Sequence, residues 1–251
     1  MKDFIADDDH DVLQRNGLTD FEALWQLDLP PVDELNEGRG GWSGVCRLEV
    51  AGGAYYLKRQ RIYLARSLLR PLGEPTFARE FRNISPYQRL AIPSLQAAFF
   101  GQRRESGEVR AVLLTRSLDG WRDLGEWLSD WADRPVEVRN AILEACGRLV
   151  RRLHDAGQKH GCLYPKHIFL RPEGRTFMAC LIDLEKTGPL LFGRSDRVRD
   201  IEALLRRAPR WGDRDVQTLM TAYLDASNHD AAVGSWLRHV SARSVEKRGR
   251  A

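Results

Sequence analysis

The stretch KHGCLYPKHIFL, Lys159–Leu170, lies between a helical segment and an apolar strand, and this arrangement decides the fold of the chain. The helical segment before it ends in RRLHDAGQ, and the strand after it, MACLID, ends at Asp183. A carboxylate at the end of an apolar strand is costly to bury unless it is paired or binds a metal ion. We therefore interpret Asp183 and the stretch Lys159–Leu170 as parts of one candidate functional site.

Protein kinases contain the same elements in the same order: a helix, a loop of the form HRDxxxxN, a short hairpin and an aspartate that binds magnesium. Four positions of the loop correspond in spacing to the kinase His, Arg, Asp and Asn, in this order: His160, Gly161, Cys162 and His167. Asp183 follows after a segment long enough for the hairpin. The pattern therefore predicts a kinase-like catalytic loop with a cysteine at the aspartate position.

The rest of the chain changes from strand patterns to helix patterns near its middle. Residues 45–58 and 94–115 each predict a β-hairpin, and the apolar positions of residues 75–90 suit one face of a helix. Further helices are predicted over Val136–Ala156, Arg197–Arg207, Asp213–Leu224 and His229–Val240. We therefore predict an α+β protein with a two-lobed, protein-kinase-like fold, a β-rich N-lobe and an α-helical C-lobe.

Three domain segments follow from this pattern. Residues 1–36 form an N-terminal extension or part of the N-lobe. Residues 37–117 form the nucleotide-binding N-lobe. Residues 118–251 form the C-lobe, with the catalytic loop and the metal and acceptor site.

Phosphoryl transfer needs positive charge at the phosphates, and the first half of the chain contains residues that can supply it. Lys58, at the end of the strand AYYLK, can contact phosphates, and Glu80 in the following helix can orient it. The segment EGRGGWSGV adds a glycine-rich turn whose backbone amides can approach phosphates. The glycines concerned are Gly38, Gly40, Gly41 and Gly44.

Together with HGCLYPKH and LIDLEK, these residues resemble the bacterial lipopolysaccharide core kinase family, over about Glu37–Leu205. That family phosphorylates heptose or Kdo sugars of the inner core and has a protein-kinase-like fold. The resemblance implies that ATP and Mg²⁺ are the cofactors. It also implies that Lys58 contacts the phosphates with Glu80 as its partner, and that Asp183 binds Mg²⁺ with His167 nearby.

The resemblance extends to two further residues. Asp200, in RVRDIEALL, resembles the helix aspartate that anchors the catalytic loop through backbone amides. Thr115, between Leu114 and Arg116, would lie at the hinge that receives adenine.

Cys162 departs from the kinase pattern. A thiol with a reference pKa of about 8.5 is mostly neutral at pH 7 and is a poor proton acceptor. His160, His167 and Lys166 are close in sequence and can raise the thiolate fraction, so we take Cys162, His160 and Lys166 as the candidate catalytic residues.

Two interpretations of this cysteine stay open. One is a slow kinase in which positioning and charge carry the transfer, and the other is a kinase-fold pseudoenzyme that binds nucleotide and acts as a scaffold. A kinase of a small molecule such as an aminoglycoside or choline fits less well, because those folds normally keep the loop aspartate and asparagine.

Charge and composition indicate the compartment and the partners. The 251 residues carry a formal net charge of +4, without a secretory signal or an apolar run long enough to span a bilayer. The basic segments Lys58–Arg70 and Arg238–Arg250 are typical either of solvated helix faces or of surfaces for phosphorylated lipid or nucleic acid. With the resemblance, we expect a cytoplasmic protein that associates peripherally with the inner membrane, a lipid-linked lipopolysaccharide core as acceptor, and no nucleic acid.

One further cluster leaves two interpretations. The run RDIEALLRRAPRW brings together Arg206, Arg207 and Arg210. These side chains can bind a phosphate group of the acceptor, or they can lie at a solvated helix end.

Overall fold

The chain forms two compact units in a computed structural model that describes residues 2–38, 40–67, 70–105, 107–226 and 231–248. The first unit comprises residues 1–86 and 95–119, and the second comprises residues 87–94 and 120–251. Strands dominate the first unit and helices the second, which confirms the predicted α+β class.

The first unit is built on an antiparallel sheet. Its elements, in chain order, are β1 (Phe4–Ile5), α1 (Asp7–Arg15), α2 (Phe21–Trp25), β2 (Asn36–Gly38), β3 (Gly41–Val50), β4 (Gly53–Arg61), β5 (Leu64–Ser67), β6 (Arg70–Pro75), α3 (Thr76–Arg89), β7 (Ala97–Glu105) and β8 (Glu108–Arg116). Six of the strands pair in the order β1-β7-β8-β4-β3-β2, and β5 pairs with β6 separately.

Both predicted hairpins are confirmed, as β3–β4 and β7–β8. The first turns at Gly52, whose φ of 95° lies in the left-handed region that favours glycine. The predicted helix is α3, which begins directly after Pro75. Leu90, the last of the apolar positions expected on one face of this helix, lies beyond the last residue of α3 and is 42% exposed.

The N-terminal residues are integral to the first unit. Strand β1 pairs with β7, with Phe4 opposite Phe100. Leu13 of α1 and Phe21 of α2 are fully buried in the same apolar cluster as Leu57 of β4. Residues 2–38 therefore contribute both a strand and core side chains to this unit.

The basic segment Lys58–Arg70 is not a helix. It comprises the end of β4, the strand β5 and the first residue of β6, while residues 68 and 69 lie outside the described residues. Along β4 the buried residues Tyr55 and Leu57 alternate with less buried ones, which is the period of a strand. The interpretation of this segment as a solvated helix face was therefore wrong.

The second unit is mainly helical. Its elements are β9 (Arg122–Asp123), α4 (Leu124–Leu128), α5 (Val136–Asp155), β10 (Gln158–Lys159), β11 (Ile168–Glu173), β12 (Thr176–Leu181), β13 (Gly188–Pro189), α6 (Arg194–Leu205), α7 (Asp213–Leu224) and α8 (Ala231–Arg248). Short 3₁₀ turns cover Pro165–His167 and Leu184–Lys186. None of the helices in the described ranges is long and apolar enough to cross a membrane.

The predicted helices of this unit are all present. The limits of α7 agree with the prediction, α6 begins three residues early, and α8 runs to Arg248 instead of ending at Val240. Helices α5 and α7 pack closely because Gly147 has no side chain: a Cβ there would lie 2.6 Å from the Leu219 carbonyl oxygen. This packing fixes α5, the helix that leads into the loop at His160.

Candidate active site

The loop from His160 to His167 is anchored by the buried Asp200 of α6. The Asp200 carboxylate accepts the backbone N–H of His160 at 2.6 Å and that of Gly161 at 2.9 Å. His154 Nε2, on α5, lies 3.4 Å from the same carboxylate, which is only 3% exposed. The predicted anchoring of the loop by Asp200 is therefore confirmed.

His160 is a buried, neutral link between the loop and the strand that delivers Asp183. Its Nε2 lies 3.0 Å from the carbonyl oxygen of Ile182, which only accepts, so Nε2 carries the proton. Burial lowers the pKa of His160 against the opposing effect of the Asp200 charge. A neutral imidazole adds no positive charge to the loop.

Asp183 is presented by an unusual backbone conformation. Its φ of 55° and ψ of 61° lie in the left-handed region, which is sparsely populated by residues other than glycine. Its side chain is 45% exposed, and its Oδ2 lies 3.2 Å from Nε2 of His167. The structure thus brings together the two residues predicted to bind metal.

The hydrogen bonds of His167 indicate what lies between its Nε2 and the Asp183 carboxylate. Its Nδ1 lies 2.8 Å from the carbonyl oxygen of Cys162 and donates to it. Burial is the main cause that lowers the pKa of His167 against the opposing effect of the Asp183 charge, and a neutral ring with this hydrogen bond has a lone pair on Nε2. That lone pair faces a carboxylate oxygen that also only accepts. A cation shared by the two atoms, either a proton or a metal ion, resolves this conflict.

The donor set fits Mg²⁺ in part. Mg²⁺ is usually bound by one or two carboxylates, several waters and the phosphates of a substrate, and Asp183 supplies such a carboxylate. The imidazole of His167 is a ligand that transition metals accept more readily. Within the described ranges, no group of three or more His, Cys, Asp or Glu side chains could hold a metal ion. The remaining ligands would therefore have to come from water and a bound phosphate.

Cys162 has a cationic neighbour that sequence reasoning missed. The thiol is 6% exposed, and the neighbouring Cys162 is the main cause that raises the pKa of the Lys186 ammonium. Lys166, the cation expected from sequence proximity, is exposed on the 3₁₀ turn. The signal was present in LIDLEKT, but only the tertiary structure brings that lysine to the loop.

Gly161 is required by the backbone around it. Its φ is 75°, and a Cβ there would lie 2.6 Å from the carbonyl oxygen of Lys186. The arginine that kinases place at this position therefore has no room here.

A stack of rings extends from the loop toward its exposed side. The His160 and His167 rings lie 5.7 Å apart, and the Tyr164 ring stacks on His167 at 5.3 Å. Arg207 covers Tyr164, with its Cζ 3.6 Å from the ring centroid. The arginine that sequence analysis left between two interpretations therefore lies at the loop.

The first unit contains the predicted lysine–glutamate pair. Lys58 Nζ on β4 lies 2.8 Å from Glu80 Oε1 on α3, and their side chains are 14% and 5% exposed. Phe77, one turn before Glu80, places its ring 6.0 Å from the Lys58 nitrogen. The predicted pairing is confirmed, and because the pair is largely buried, removal of one partner would leave the other charge without compensation.

The predicted glycines form the tight connection between β2 and β3, where Gly38 pairs with Gly41. Gly40 has a φ of 81°, and nothing lies within 4 Å of the position that its Cβ would take. A Cβ on Gly41 would lie 1.9 Å from the Arg61 carbonyl oxygen, and one on Gly44 would lie 2.4 Å from a leucine side chain. Gly40 therefore leaves open space, whereas Gly41 and Gly44 allow close packing within the protein.

Thr115 is enclosed by the sheet of the first unit. It is 3% exposed and pairs with Tyr56 on one side and Ala97 on the other. The neighbouring Arg116 donates from Nε to Asp9 of α1 at 3.0 Å. The assignment of Thr115 to the hinge that receives adenine stays a prediction.

Known proteins are similar to this chain in sequence and in fold. A family model described as the lipopolysaccharide kinase (Kdo/WaaP) family matches residues 22–223. The chain belongs to this family. The resemblance inferred from the loop sequences is thus confirmed, and it extends beyond the predicted Glu37–Leu205 at both ends.

Individual known proteins are similar to this chain over most of its length. Protein InaA of Escherichia coli (strain K12) is 32% identical over 198 residues, 76% of this chain and 90% of InaA. The lipopolysaccharide core heptose(I) kinase WaaP of Pseudomonas aeruginosa (strain PAO1) is 27% identical over 222 residues, 84% of this chain and 76% of WaaP. A solved structure of WaaP in complex with acyl carrier protein is 22% identical, with a TM-score of 0.70 over 98% of this chain and 99% of that one. The protein-kinase-like fold is therefore confirmed.

Proposed function

We propose that this protein transfers the γ-phosphoryl group of ATP to a heptose or Kdo sugar of the lipopolysaccharide inner core. The observation that carries the proposal is the pair of facing acceptors, Asp183 and His167, on a loop fixed by Asp200. A proton or a metal ion can lie between the two atoms, and the proposal assigns this place to a divalent cation bound to phosphates. Family membership and the core kinase WaaP among the relatives support the sugar acceptor.

The proposed nucleotide contacts lie in the first unit. Lys58 binds the phosphates, and the buried Glu80 holds its ammonium in position. The backbone of the turn at Gly40 approaches the phosphates, with Gly38, Gly41 and Gly44 shaping the strands around it, and Thr115 lies at the adenine.

The proposed metal and catalytic residues lie in the second unit. Asp183 and His167 hold Mg²⁺, which when bound neutralises charge on the transferring phosphates. His160 keeps the loop in register with Asp183 through its hydrogen bond to Ile182. Lys166, exposed on the same loop, adds positive charge near the transferred group.

In the reaction, the acceptor hydroxyl oxygen forms a bond to the γ-phosphorus while the bond from that phosphorus to the departing ADP oxygen breaks. The hydroxyl proton leaves at the same stage. Cys162 stands where kinases have the aspartate that accepts this proton, and the Lys186 ammonium lies beside it. Because the transition state is loose, positioning and charge account for most of the catalysis. We therefore expect slow transfer.

Cys162 also supports a second candidate function. A buried thiol in place of the carboxylate suits a pseudoenzyme that binds nucleotide and acts as a scaffold. The solved WaaP structure was obtained in complex with acyl carrier protein, and a protein of that kind is the partner to test for the scaffold.

A peripheral contact with the inner membrane would bring the protein to a lipid-linked acceptor. Leu191 and Phe192 are 70% and 66% exposed, and both backbone N–H groups donate to Asp196 at 3.0 Å. Arg194 and Arg199 are exposed on the helix that follows. Apolar side chains bordered by cations suit the surface of an anionic bilayer.

Transfer of labelled γ-phosphate from Mg-ATP to dephosphorylated lipopolysaccharide core tests the kinase proposal. We expect the unaltered chain to label the core, Asp183→Ala to abolish labelling, and Cys162→Asp to increase it. Asp33→Ala, which removes an exposed carboxylate from a loop, is the matched control. If neither the unaltered chain nor Cys162→Asp transfers phosphate while nucleotide still binds, the scaffold is the better description.

A further inference from the structure

We propose that Arg207 and the ring of Tyr164 form a subsite that binds an anionic group, a carboxylate or a phosphate, of the acceptor. The inference rests on the proposed kinase function and assigns a specificity residue to it. The ligand class follows from the chemistry of the guanidinium. Its face lies on the Tyr164 ring, and the N–H groups at its edge can donate hydrogen bonds to an anion.

The first step is the position of the guanidinium. Arg207 follows α6, and its Cζ lies 3.6 Å from the centroid of the Tyr164 ring. The Tyr164 ring in turn stacks on His167, whose Nε2 contacts Asp183. The guanidinium therefore lies one ring away from the histidine of the proposed metal pair. Tyr164 is also two residues from Cys162, at the end of the loop where the acceptor hydroxyl would react.

The second step concerns the ion pairs of Arg207 and of the arginines around it. Neighbouring arginines of this unit are paired with acids: Arg206 with Glu202 at 3.0 Å, and Arg199 with Asp196 at 3.6 Å. Among the residues that the structure describes, no acid forms an ion pair with Arg207. Its side chain is also exposed, so a ligand can reach it. The charge is thus available to an external anion.

The third step is the geometry of the donors. A guanidinium that contacts an aromatic ring with its face keeps the N–H groups of its edge free. These groups lie in one plane and match the two oxygens of a carboxylate or a phosphate. The stack on Tyr164 also fixes the plane before the ligand binds. Arg207 is therefore suited to orienting an acceptor rather than only attracting it.

The test is steady-state transfer from Mg-ATP to delipidated, dephosphorylated core oligosaccharide, which retains its sugar carboxylates. We expect Arg207→Gln to raise KM for the oligosaccharide about tenfold to hundredfold, the range of a lost charged hydrogen-bond pair. The kcat and the KM for Mg-ATP should change less than about twofold. Arg214→Gln, which removes an exposed arginine from the first turn of α7, should leave all three unchanged.

Conservative variants separate this role from a structural one. Tyr164→Phe keeps the ring face and should behave as the unaltered chain, whereas Tyr164→Ala should raise the acceptor KM. Arg207→Lys keeps the charge without the planar fork, so it should recover only part of the affinity. An increase of KM for Mg-ATP alone would overturn the proposal, because Arg207 would then bind the nucleotide.

Chemically altered acceptors identify the anion. If the group is a carboxylate, reducing the sugar carboxylates should raise KM for the unaltered chain and remove the effect of Arg207→Gln. If it is a phosphate, the effect should appear only with the phosphorylated core oligosaccharide. If Arg207→Gln raised KM equally for oligosaccharides that lack both carboxylates and phosphates, the proposal of an anion subsite would be overturned.

Equilibrium binding of the oligosaccharide, measured by calorimetry without ATP, separates the failure of this inference from that of the kinase proposal. Binding that Arg207→Gln abolishes, in a chain that transfers nothing, would leave the subsite intact and remove the kinase function. Transfer that is unchanged in Arg207→Gln, with both the dephosphorylated and the phosphorylated core oligosaccharide, would leave the kinase function intact and remove the subsite.

Discussion

Nε2 of His167 lies 3.2 Å from Oδ2 of Asp183, while Nδ1 of the same ring donates to the Cys162 carbonyl oxygen. A divalent cation should relieve this contact and stabilise the fold. At a Mg²⁺ concentration about 100-fold above Kd, the gain would be about 2.7 kcal/mol. For a chain of this size, each kcal/mol corresponds to a rise in Tm of about 2–4 °C.

Thermal unfolding with and without Mg²⁺ measures this gain. Addition of a chelator should reverse it, and Asp183→Asn should lose it. The control Asp33→Asn should retain it. An equal rise of Tm in Asp183→Asn would show that the cation binds elsewhere.

The buried pair of Lys58 and Glu80 predicts an asymmetric response to mutation. Lys58→Met leaves the Glu80 carboxylate, 5% exposed, without its cation and should destabilise the protein by about 3 kcal/mol. The double variant Lys58→Met/Glu80→Leu removes both charges and should regain most of that loss. Urea unfolding provides both values, and a double variant less stable than Lys58→Met would contradict the expectation.

The neutral histidines predict a loss of stability in mild acid. Burial lowers the pKa of His160 and of His167, whereas the unfolded chain takes up these protons near pH 6.5. Lowering the pH below about 6.5 therefore favours the unfolded state. The urea midpoint should fall between pH 7.5 and pH 5.5. The NMR signals of the His160 ring should stay those of the neutral Nε2–H form at pH 6, and a ring protonated at that pH would contradict this account.

The contact of Gly161 with Lys186 predicts that an added methyl group is costly. Gly161→Ala combines a left-handed φ of 75° with a Cβ placed 2.6 Å from a backbone oxygen. Gly174→Ala is the matched control, because its φ is 59° and its Cβ would meet nothing within 4 Å. Gly161→Ala should cost at least about 1 kcal/mol more in the free energy of unfolding. Equal losses in the two variants would show that the loop moves away without strain.

The exposed pair Leu191 and Phe192 predicts membrane association. Replacing both with serine should reduce binding to vesicles that contain anionic lipid, measured by sedimentation. Leu90→Ser, which alters an exposed leucine elsewhere, should not reduce it. Binding of the unaltered chain should weaken as salt rises, because the cations contribute through charge. A salt-independent association would argue against the membrane contact.

Much of the site could be predicted from sequence because its residues occupy fixed places in one chain order. The spacing of His160, Cys162 and His167 before Asp183 was enough to indicate the loop. Period-two and period-3.6 patterns predicted the hairpins and helices. The segment Lys58–Arg70 was partly mistaken for a helix because cations interleaved with apolar residues suit either period over a short run.

The sequence by itself determined the fold class, the family, and which residues form the loop, because these depend on order, spacing and apolar periodicity. Only the tertiary structure decided how the side chains meet. It brought Lys186 to Cys162, placed Arg207 over the Tyr164 ring and brought Nε2 of His167 to Asp183. These contacts join residues from different elements, and their hydrogen-bond and charge partners follow from backbone paths that no local pattern specifies.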